Sequence, residues 1–403
     1  MDTERPKIRE DLDFFPVQSA GTTIIMINDR LGLVEESRGI RPELYKVMTM
    51  LDGTRSMRDL QIDLMRQQGG RLVSTEEVEA LLAKLDSSYL LDSERYREER
   101  KKIVADFSAQ KIRWCSHAGR SYPKQEEELR KRLETILASQ QVPSFPDGRI
   151  TAVVAPHIDL EVGRRVYSSA YQAVKGLSPE RVIILGVGHS MAKGMFSLTK
   201  KTFETPLGRV ETDQKIVSEL MNAADSIVTG DDFAHRDEHS IEFQLIFLQH
   251  ILRDVSFTIV PILCGFLKGS LPDYSREVYQ SKAGDFLGIL RDAARDEGTV
   301  VVAGVDLSHV GPKFGHDMPA SLIIDQSERH DRQLLHFLCA SNADGFWSES
   351  RRLEDRYNVC GFAALACLLE ILPPSHGHLL GYEIFKEDAT RSAVSFAAAV
   401  FTR

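Results

Sequence analysis

Long hydrophobic runs are absent from this 403-residue sequence. The longest apolar stretch, Cys360 to Leu372, carries Glu370 and falls short of the ~20 residues a membrane-spanning helix needs. No membrane partner is expected. The charged opening Met1-Asp2-Thr3-Glu4-Arg5-Pro6 leads into no apolar segment, which argues against a secretory signal and for a cytoplasmic protein. Cysteine is scarce: five residues, an odd number with no C-x-x-C pair, which argues against a secreted disulfide framework. Each thiol is then a buried inert group or a ligand. Excess positive charge is also lacking, and a net charge of −9 opposes a phosphate-binding surface. No internal repeat or low-complexity tract occurs, and the composition is that of ordinary globular domains. A chain of this length has room for two or three of them.

The chain changes character near residue 95, where Glu94-Arg95-Tyr96-Arg97-Glu98-Glu99-Arg100-Lys101-Lys102 reads as a solvated linker or short exposed helix. This divides the sequence into a first domain over 1–95, a charged linker over 96–112 and a larger domain over 113–403. In the first, Thr22 to Asn28 is β-branched and apolar, and Leu31 to Val34 is expected to pair with it across Asp29-Arg30 as a hairpin. A helix follows Pro42 and stops at Asp52-Gly53, and Ser56 caps a second that ends before Gly69-Gly70. Ser74 and Glu77 form a capping box for a third, with Val78, Leu81, Leu82 and Leu85 on one face. Tyr89-Leu90-Leu91 closes the unit as a short strand. The result is a small winged-helix-like domain. Its pattern, including Leu51-Asp52-Gly53-Thr54, resembles the PqqD-like peptide-recognition domains. Residues 1–100 hold 15 Lys+Arg against 20 Asp+Glu, a net of −5. DNA binders rely on phosphate neutralisation, so DNA is not the expected partner. The expected partner of residues 1–95 is a peptide or protein added to the hairpin edge, with a purely structural appendage as the plain alternative.

Beyond Ile112, buried strands alternate with helices. Thr151–Ala155, Arg181–Gly186, Phe257–Leu263 and Thr299–Val305 are short continuous apolar runs, as strands covered on both faces require. Val162 to Val174 and Phe286 to Arg295 read as helices between them. The expected fold class is α/β, a central sheet flanked by helices. Three of the strands run into the same residue type: Ala155-Pro156-His157, Gly186-Val187-Gly188-His189 and Asp306-Leu307-Ser308-His309. Open α/β sheets place their sites outside the carboxyl ends of strands, so these imidazoles are expected to share one crevice. One such histidine would mean little; three placed alike point to a pocket. Cys360, in Tyr357-Asn358-Val359-Cys360-Gly361, opens an apolar helix, where the helix dipole is expected to favour a thiolate. Cys367 lies two turns on, ~10.5 Å along the same helix. It is expected to be a core thiol.

Several stretches together resemble the Memo family. They are Ser116-His117-Ala118-Gly119-Arg120-Ser121-Tyr122, Ala155-Pro156-His157, Leu185-Gly186-Val187-Gly188-His189, Thr205-Pro206-Leu207-Gly208, Asp237-Glu238-His239-Ser240-Ile241-Glu242, Asp306-Leu307-Ser308-His309 and Val359-Cys360-Gly361. The resemblance runs from about Arg113 to Arg403. It implies a fold similar to class III extradiol dioxygenases, with metal ligands at His157, His189 and Cys360, the cysteine standing where those enzymes use a carboxylate. It also implies an acid–base role for His309, and pocket positions for Asp306, His239 and Glu242 that line or support the site. By family analogy a radical-SAM protein is an expected pathway partner. The chain departs from the family pattern at Ile158-Asp159-Leu160, at Ser190 after the second histidine and at Phe362 after Cys360-Gly361. All three implied ligands survive these changes; the pocket rim does not.

Two imidazoles and a thiolate favour iron, copper or zinc over magnesium or calcium, with iron the first expectation. The expected function is a non-haem iron or copper redox protein, a dioxygenase-like oxidoreductase if it turns over. The alternative is a non-catalytic metal- or peptide-binding adaptor on a dioxygenase-like scaffold. A zinc hydrolase is a third reading, because His235-Arg236-Asp237-Glu238-His239 matches H-x-x-E-H. That motif needs both histidines on one helix, and helical periodicity starts only near Ile241. Gly186-x-Gly188 begins a dinucleotide-loop pattern, but the third glycine position is Met191.

Overall fold

Burial on both faces turns the four apolar runs into strands of one sheet. The structure, a computed structural model, describes the chain apart from residues 1–4, 20, 36–38, 68, 142, 192 and 224–225, so the first four residues of the charged opening lie outside it. The chain forms two compact units: Met1–Ala109 with Pro312–Asp317 and Glu387–Arg391, and Gln110–Gly311 with Met318–Lys386 and Ser392–Arg403.

The smaller unit is an antiparallel sheet of β1 (Leu12–Ser19), β2 (Thr22–Asp29) and β3 (Gly39–Ile40) with helices α1 (Pro42–Met48), α2 (Met57–Gln67), α3 (Thr75–Ser87) and α4 (Glu94–Ala109). The partner of β2 is the upstream β1, with Phe15 opposite Met26. The hairpin expected with Leu31–Val34 does not form. Asp29 prevents it: its carboxylate accepts the N–H groups of Leu31, Leu33 and Val34 at 2.8 to 3.0 Å, which curls that segment into a loop. Arg9 then clamps Asp29 from beneath. Its guanidinium, fully buried, reaches Asp29 at 2.6 Å and the Tyr89 carbonyl at 2.8 Å, and lies over the Tyr96 ring. The Ser74–Glu77 capping box is present on α3, and Ser56 Oγ accepts from the Asp59 N–H. Leu91 makes a single bridge to Ile8. The charged run is helical over Glu94–Ala109, with Tyr96 and Phe107 buried.

In the larger unit eight strands share one sheet: β4 (Ile150–Ala155), β5 (Arg181–Val187), β6 (Phe196–Leu198), β7 (Thr258–Cys264), β8 (Thr299–Gly304), β9 (His309–Val310), β10 (His376–Glu387) and β11 (Ser392–Thr402). Their order is β9-β11-β4-β8-β5-β7-β6, with β10 on β11. The central strands β4, β8, β5 and β7 run parallel, and β11 pairs antiparallel to β4. Alternate residues feed two cores. Ala152 and Val154 of β4 join one with α8 (Phe362–Ile371) and the helix Arg276–Arg295; Val153 and Ala155 join the other with α5 (His239–Ile251) and the helix Arg164–Ala173. Two more helices, α6 (Ile324–Cys339) and α7 (Ala343–Leu353), pack on the α8 side. Among the described residues no helix is long and apolar enough to cross a membrane.

Candidate metal centre

Strand order decides which loops meet. β8 lies between β4 and β5, so the Asp306 loop sits between the loops bearing His157 and His189. Neighbouring strands are about 4.8 Å apart, which keeps the two histidine loops within about 10 Å of each other. Two glycines let helices from opposite faces close on this edge. A Cβ on Gly304 would stand 2.4 Å from the Ser240 carbonyl oxygen, so glycine is what allows the first turn of α5 to rest against the end of β8. A Cβ on Gly361 would meet the Asp306 carbonyl oxygen at 2.6 Å, and the Gly361 N–H donates to that same oxygen at 3.1 Å. Cys360 is thereby pinned beside the Asp306 loop. Beneath that loop, the buried Asp331 carboxylate accepts from Ser308 Oγ at 2.6 Å and from Tyr382 Oη at 2.9 Å.

His157, His189 and Cys360 each offer one ligand atom, and the three atoms all lie within 4.8 Å of one another. Cys360 Sγ is 3.7 Å from His157 Nε2. Two ligands held ~2.0–2.3 Å from one tetrahedral ion would stand about 3.5 Å apart, so the spacing suits a shared ion. The imidazole tautomers suit it too. His157 Nδ1 lies 3.0 Å from the Gly304 carbonyl oxygen, which places the proton on Nδ1 and leaves a lone pair on Nε2. His189 Nδ1 lies 3.0 and 3.1 Å from the two Glu238 oxygens, which does the same. Burial lowers the His157 pKa and keeps the ring neutral, as a ligand must be.

Cys360 departs from expectation. Burial, then the nearby Asp306 carboxylate, push its thiol well above the usual range. A thiolate was expected from the helix dipole, but Cys360 precedes the first turn of α8, with Gly361 as the cap, and desolvation outweighs the dipole. Without an ion the thiol keeps its proton, within reach of His157 Nε2. A bound cation would have to displace it.

The remaining expected site residues separate into two groups. His239 joins the cluster: the His157, His189 and His239 rings stand 5.1 Å apart in every pairing. Asp306 lies beside it, its carboxylate accepting the His157 N–H at 3.0 Å and standing 3.7 Å from His157 Nε2. His309 leaves the same loop, with Nδ1 2.9 Å from the Leu307 carbonyl oxygen. Desolvation brings its pKa down to about 4 against the opposing pull of Asp306, so the ring is neutral near pH 7. Glu242 faces the other way. Its carboxylate takes Arg113, the N–H groups of Ser116 and His117, and Tyr122 Oη. It supports the pocket wall by anchoring the 113–122 segment.

Glu238 is the functional residue the sequence reading missed. It accepts from the N–H of Ser240 at 2.9 Å and of His189 at 3.3 Å, and it is also 3.3 Å from His239 Nδ1. Burial would raise its pKa, but His189 and His239 overcome that and hold the carboxyl well below the ordinary range. Glu238, His189 and His239 form a second group whose ligand atoms lie within 4.8 Å, yet the hydrogen bonds above engage the carboxylate as an orienting group. The available signal was its position as N-cap of α5, immediately before His239. His235 is not part of the cluster. It ends a separate 3-10 turn, with Nε2 3.1 Å from the Ser197 carbonyl oxygen, so H-x-x-E-H does not lie on one helix. Cys367 is fully buried in the core.

Fold and site define an α/β protein with possible metal-binding residue groups at the carboxyl edge of its central sheet. Residues 113–400 match the family described as Memo-like protein. A MEMO1 family protein of Aquifex aeolicus is 31% identical over 98% of this chain and 100% of its own length. One from Methanopyrus kandleri is 31% identical over 71% of this chain and 97% of its own. Among solved structures, an uncharacterized protein from Escherichia coli K12 aligns with TM-score 0.34 and 14% identity, covering 62% of this chain and 98% of that one. The chain belongs to the Memo family.

Proposed function

We propose that this chain is a metal-dependent redox protein related to extradiol dioxygenases, holding a non-haem iron or copper ion on His157, His189 and Cys360. The observation that carries the proposal is the convergence of three ligand atoms within 4.8 Å, from two strand ends and one helix start. A bound ion would supply Lewis acidity and one-electron chemistry there. The protein's own groups supply the rest. Gly304 O and Glu238 hold the two ligand imidazoles in the right tautomer. In this reading His309, neutral near pH 7, takes up a proton, and Asp306 stabilises the positive charge formed there. Substrate approaches past His189 and His239, whose side chains are 20% and 30% exposed while His157 is 3%.

The smaller unit binds a peptide or protein partner in this reading. Its two-residue β3 pairs with Ile25 and Met26 alone, which suits an incoming strand, and its negative charge opposes DNA. A second reading, a non-catalytic metal-binding adaptor, draws support from the deep burial of His157 and Cys360. One experiment separates them. Protein purified without oxygen is assayed for metal content, then for oxygen consumption with reductant and catechol-like substrates. Stoichiometric iron or copper with turnover supports the enzyme; stoichiometric metal without turnover supports the adaptor. Absence of metal from wild-type protein, after reconstitution with each ion, sinks both.

A further inference from the structure

Asp331 on α6 is a buried acid that the proposed chemistry leaves unused. Its side chain is fully buried and meets three hydroxyl groups: Ser308 Oγ at 2.6 Å, Ser395 Oγ at 2.5 Å and Tyr382 Oη at 2.9 Å. Among the described residues no lysine or arginine pairs with it. Burial raises its pKa, and the three hydroxyls pull it back only in part. Holding a carboxyl group in the interior without a cation is costly, and an apolar side chain would join helix to sheet at less expense. A buried polar network of this kind, with every member satisfied, specifies one arrangement of the groups around it.

The groups in question belong to the Asp306–His309 loop. The Ser308 N–H donates to Ser395 Oγ of β11 at 2.9 Å, and the Ser395 N–H donates to the Ser308 carbonyl at 3.0 Å. Asp331 bridges the two side chains, with Oδ1 on Ser308 and Oδ2 on Ser395. The Ser395 carbonyl accepts the Leu307 N–H at 2.8 Å, and the Leu307 carbonyl lies 2.9 Å from His309 Nδ1. Contacts therefore run from α6, through two serines and the backbone of Leu307, to the imidazole. We propose that Asp331 is the positioning residue of His309: by bridging Ser308 and Ser395 it fixes the Leu307 backbone, and with it the orientation and tautomer of the His309 ring. Without the carboxylate the Ser395 hydroxyl can turn to the Ser308 carbonyl, 3.3 Å away, and the Ser308 hydroxyl loses the acceptor Asp331 provides. The inference deepens the reading of His309 as the proton-accepting group and rests on it.

The test uses full-length protein freed of metal, so a failure of metal binding would sink the metal reading without touching this result. Long-range proton–nitrogen spectra of protein labelled with 15N-histidine are recorded near pH 7, where the His309 ring is neutral. They report which ring nitrogen carries the proton, His309 being assigned by its loss in His309→Gln. The parent should show one tautomer, protonated on Nδ1. Asp331→Ala should shift the His309 resonances towards the average of the two tautomers, and adding Ser308→Ala should move them no further. Asp331→Asn, whose amide oxygen still accepts from Ser308, should restore most of the parent signal. Leu133→Ala, a truncation on helix Glu126–Leu137 in the core that excludes Leu307, should destabilise the protein yet leave His309 unmoved. A folded Asp331→Ala whose His309 resonances stay in place, or an equal shift in Leu133→Ala, overturns the proposal. If Asp331→Ala does not fold, Ser308→Ala is read by the same rule.

Discussion

Glu238 and Glu242 stand on two sides of the start of α5 and do opposite work. On one side, Glu238 meets the partly exposed imidazoles of His189 and His239. On the other, Glu242 meets Arg113, an always-charged guanidinium, and both side chains are 1% exposed. The first orients imidazole rings; the second holds a segment of chain in place. One helix turn thus divides the candidate metal pocket from its frame. Both carboxylates are buried, so the difference teaches that the partners tell them apart: arginine and backbone N–H groups for the frame, imidazoles for the candidate metal pocket.

The largest expected effect lies on the frame. Arg113→Ala should cost about 3–5 kcal/mol, because it leaves the Glu242 charge buried without its cation. Chemical denaturation measures this, and a loss below about 1 kcal/mol would erase the distinction between the two sides. Cys360→Ser should act on the pocket instead, cutting metal affinity by about a hundredfold or more as a neutral hydroxyl replaces a sulfur ligand. Cys367→Ser should leave metal content unchanged, since that thiol packs in the core. Equal metal content in the two variants would remove Cys360 from the ligand set.

Much of this contrast was legible in the sequence, for identifiable reasons. Buried parallel strands announce themselves as apolar runs, so β4, β5, β7 and β8 and the histidine loops beyond them could be placed from residues alone. What failed depended on partners distant in sequence. Leu31–Val34 has the composition of a strand, but Asp29, held by Arg9, takes its N–H groups. β1 was overlooked because Pro16 breaks its pattern, though an edge strand tolerates proline. The protonated state of Cys360 follows from burial near Asp306, 54 residues away, against a local dipole that suggested the reverse. Glu238 and Asp237 look alike in sequence; only the turn into α5 sends one toward the imidazoles.

Glu238→Gln should produce an intermediate effect. The amide keeps the shape but loses the charge that favours His189 with its proton on Nδ1, so metal affinity should fall about 10- to 100-fold with little change in stability. Metal titration monitored by competition with a chelator measures the first, and denaturation the second. A stability loss as large as that of Arg113→Ala, with affinity unchanged, would reassign Glu238 to the frame.

The smallest expected effect is a change in acid sensitivity. Burial opposes ionisation of Glu242, but Arg113 and then His117 outweigh it and hold the carboxyl below its ordinary value of 4.5. A carboxyl depressed on folding contributes stability that is fully present above that ordinary value and is lost as pH falls through the folded one. Glu242→Gln removes this contribution at every pH. The melting temperature of the parent should therefore exceed that of the variant by a constant margin from neutral pH to about 5. Below about pH 4.5 the margin should shrink as the parent's Glu242 takes up its proton. Thermal melts of both proteins across this range measure the margin. A margin that grows on acidification would mean Glu242 is protonated in the folded protein, and the frame would then rest on neutral hydrogen bonds rather than on the Arg113 ion pair.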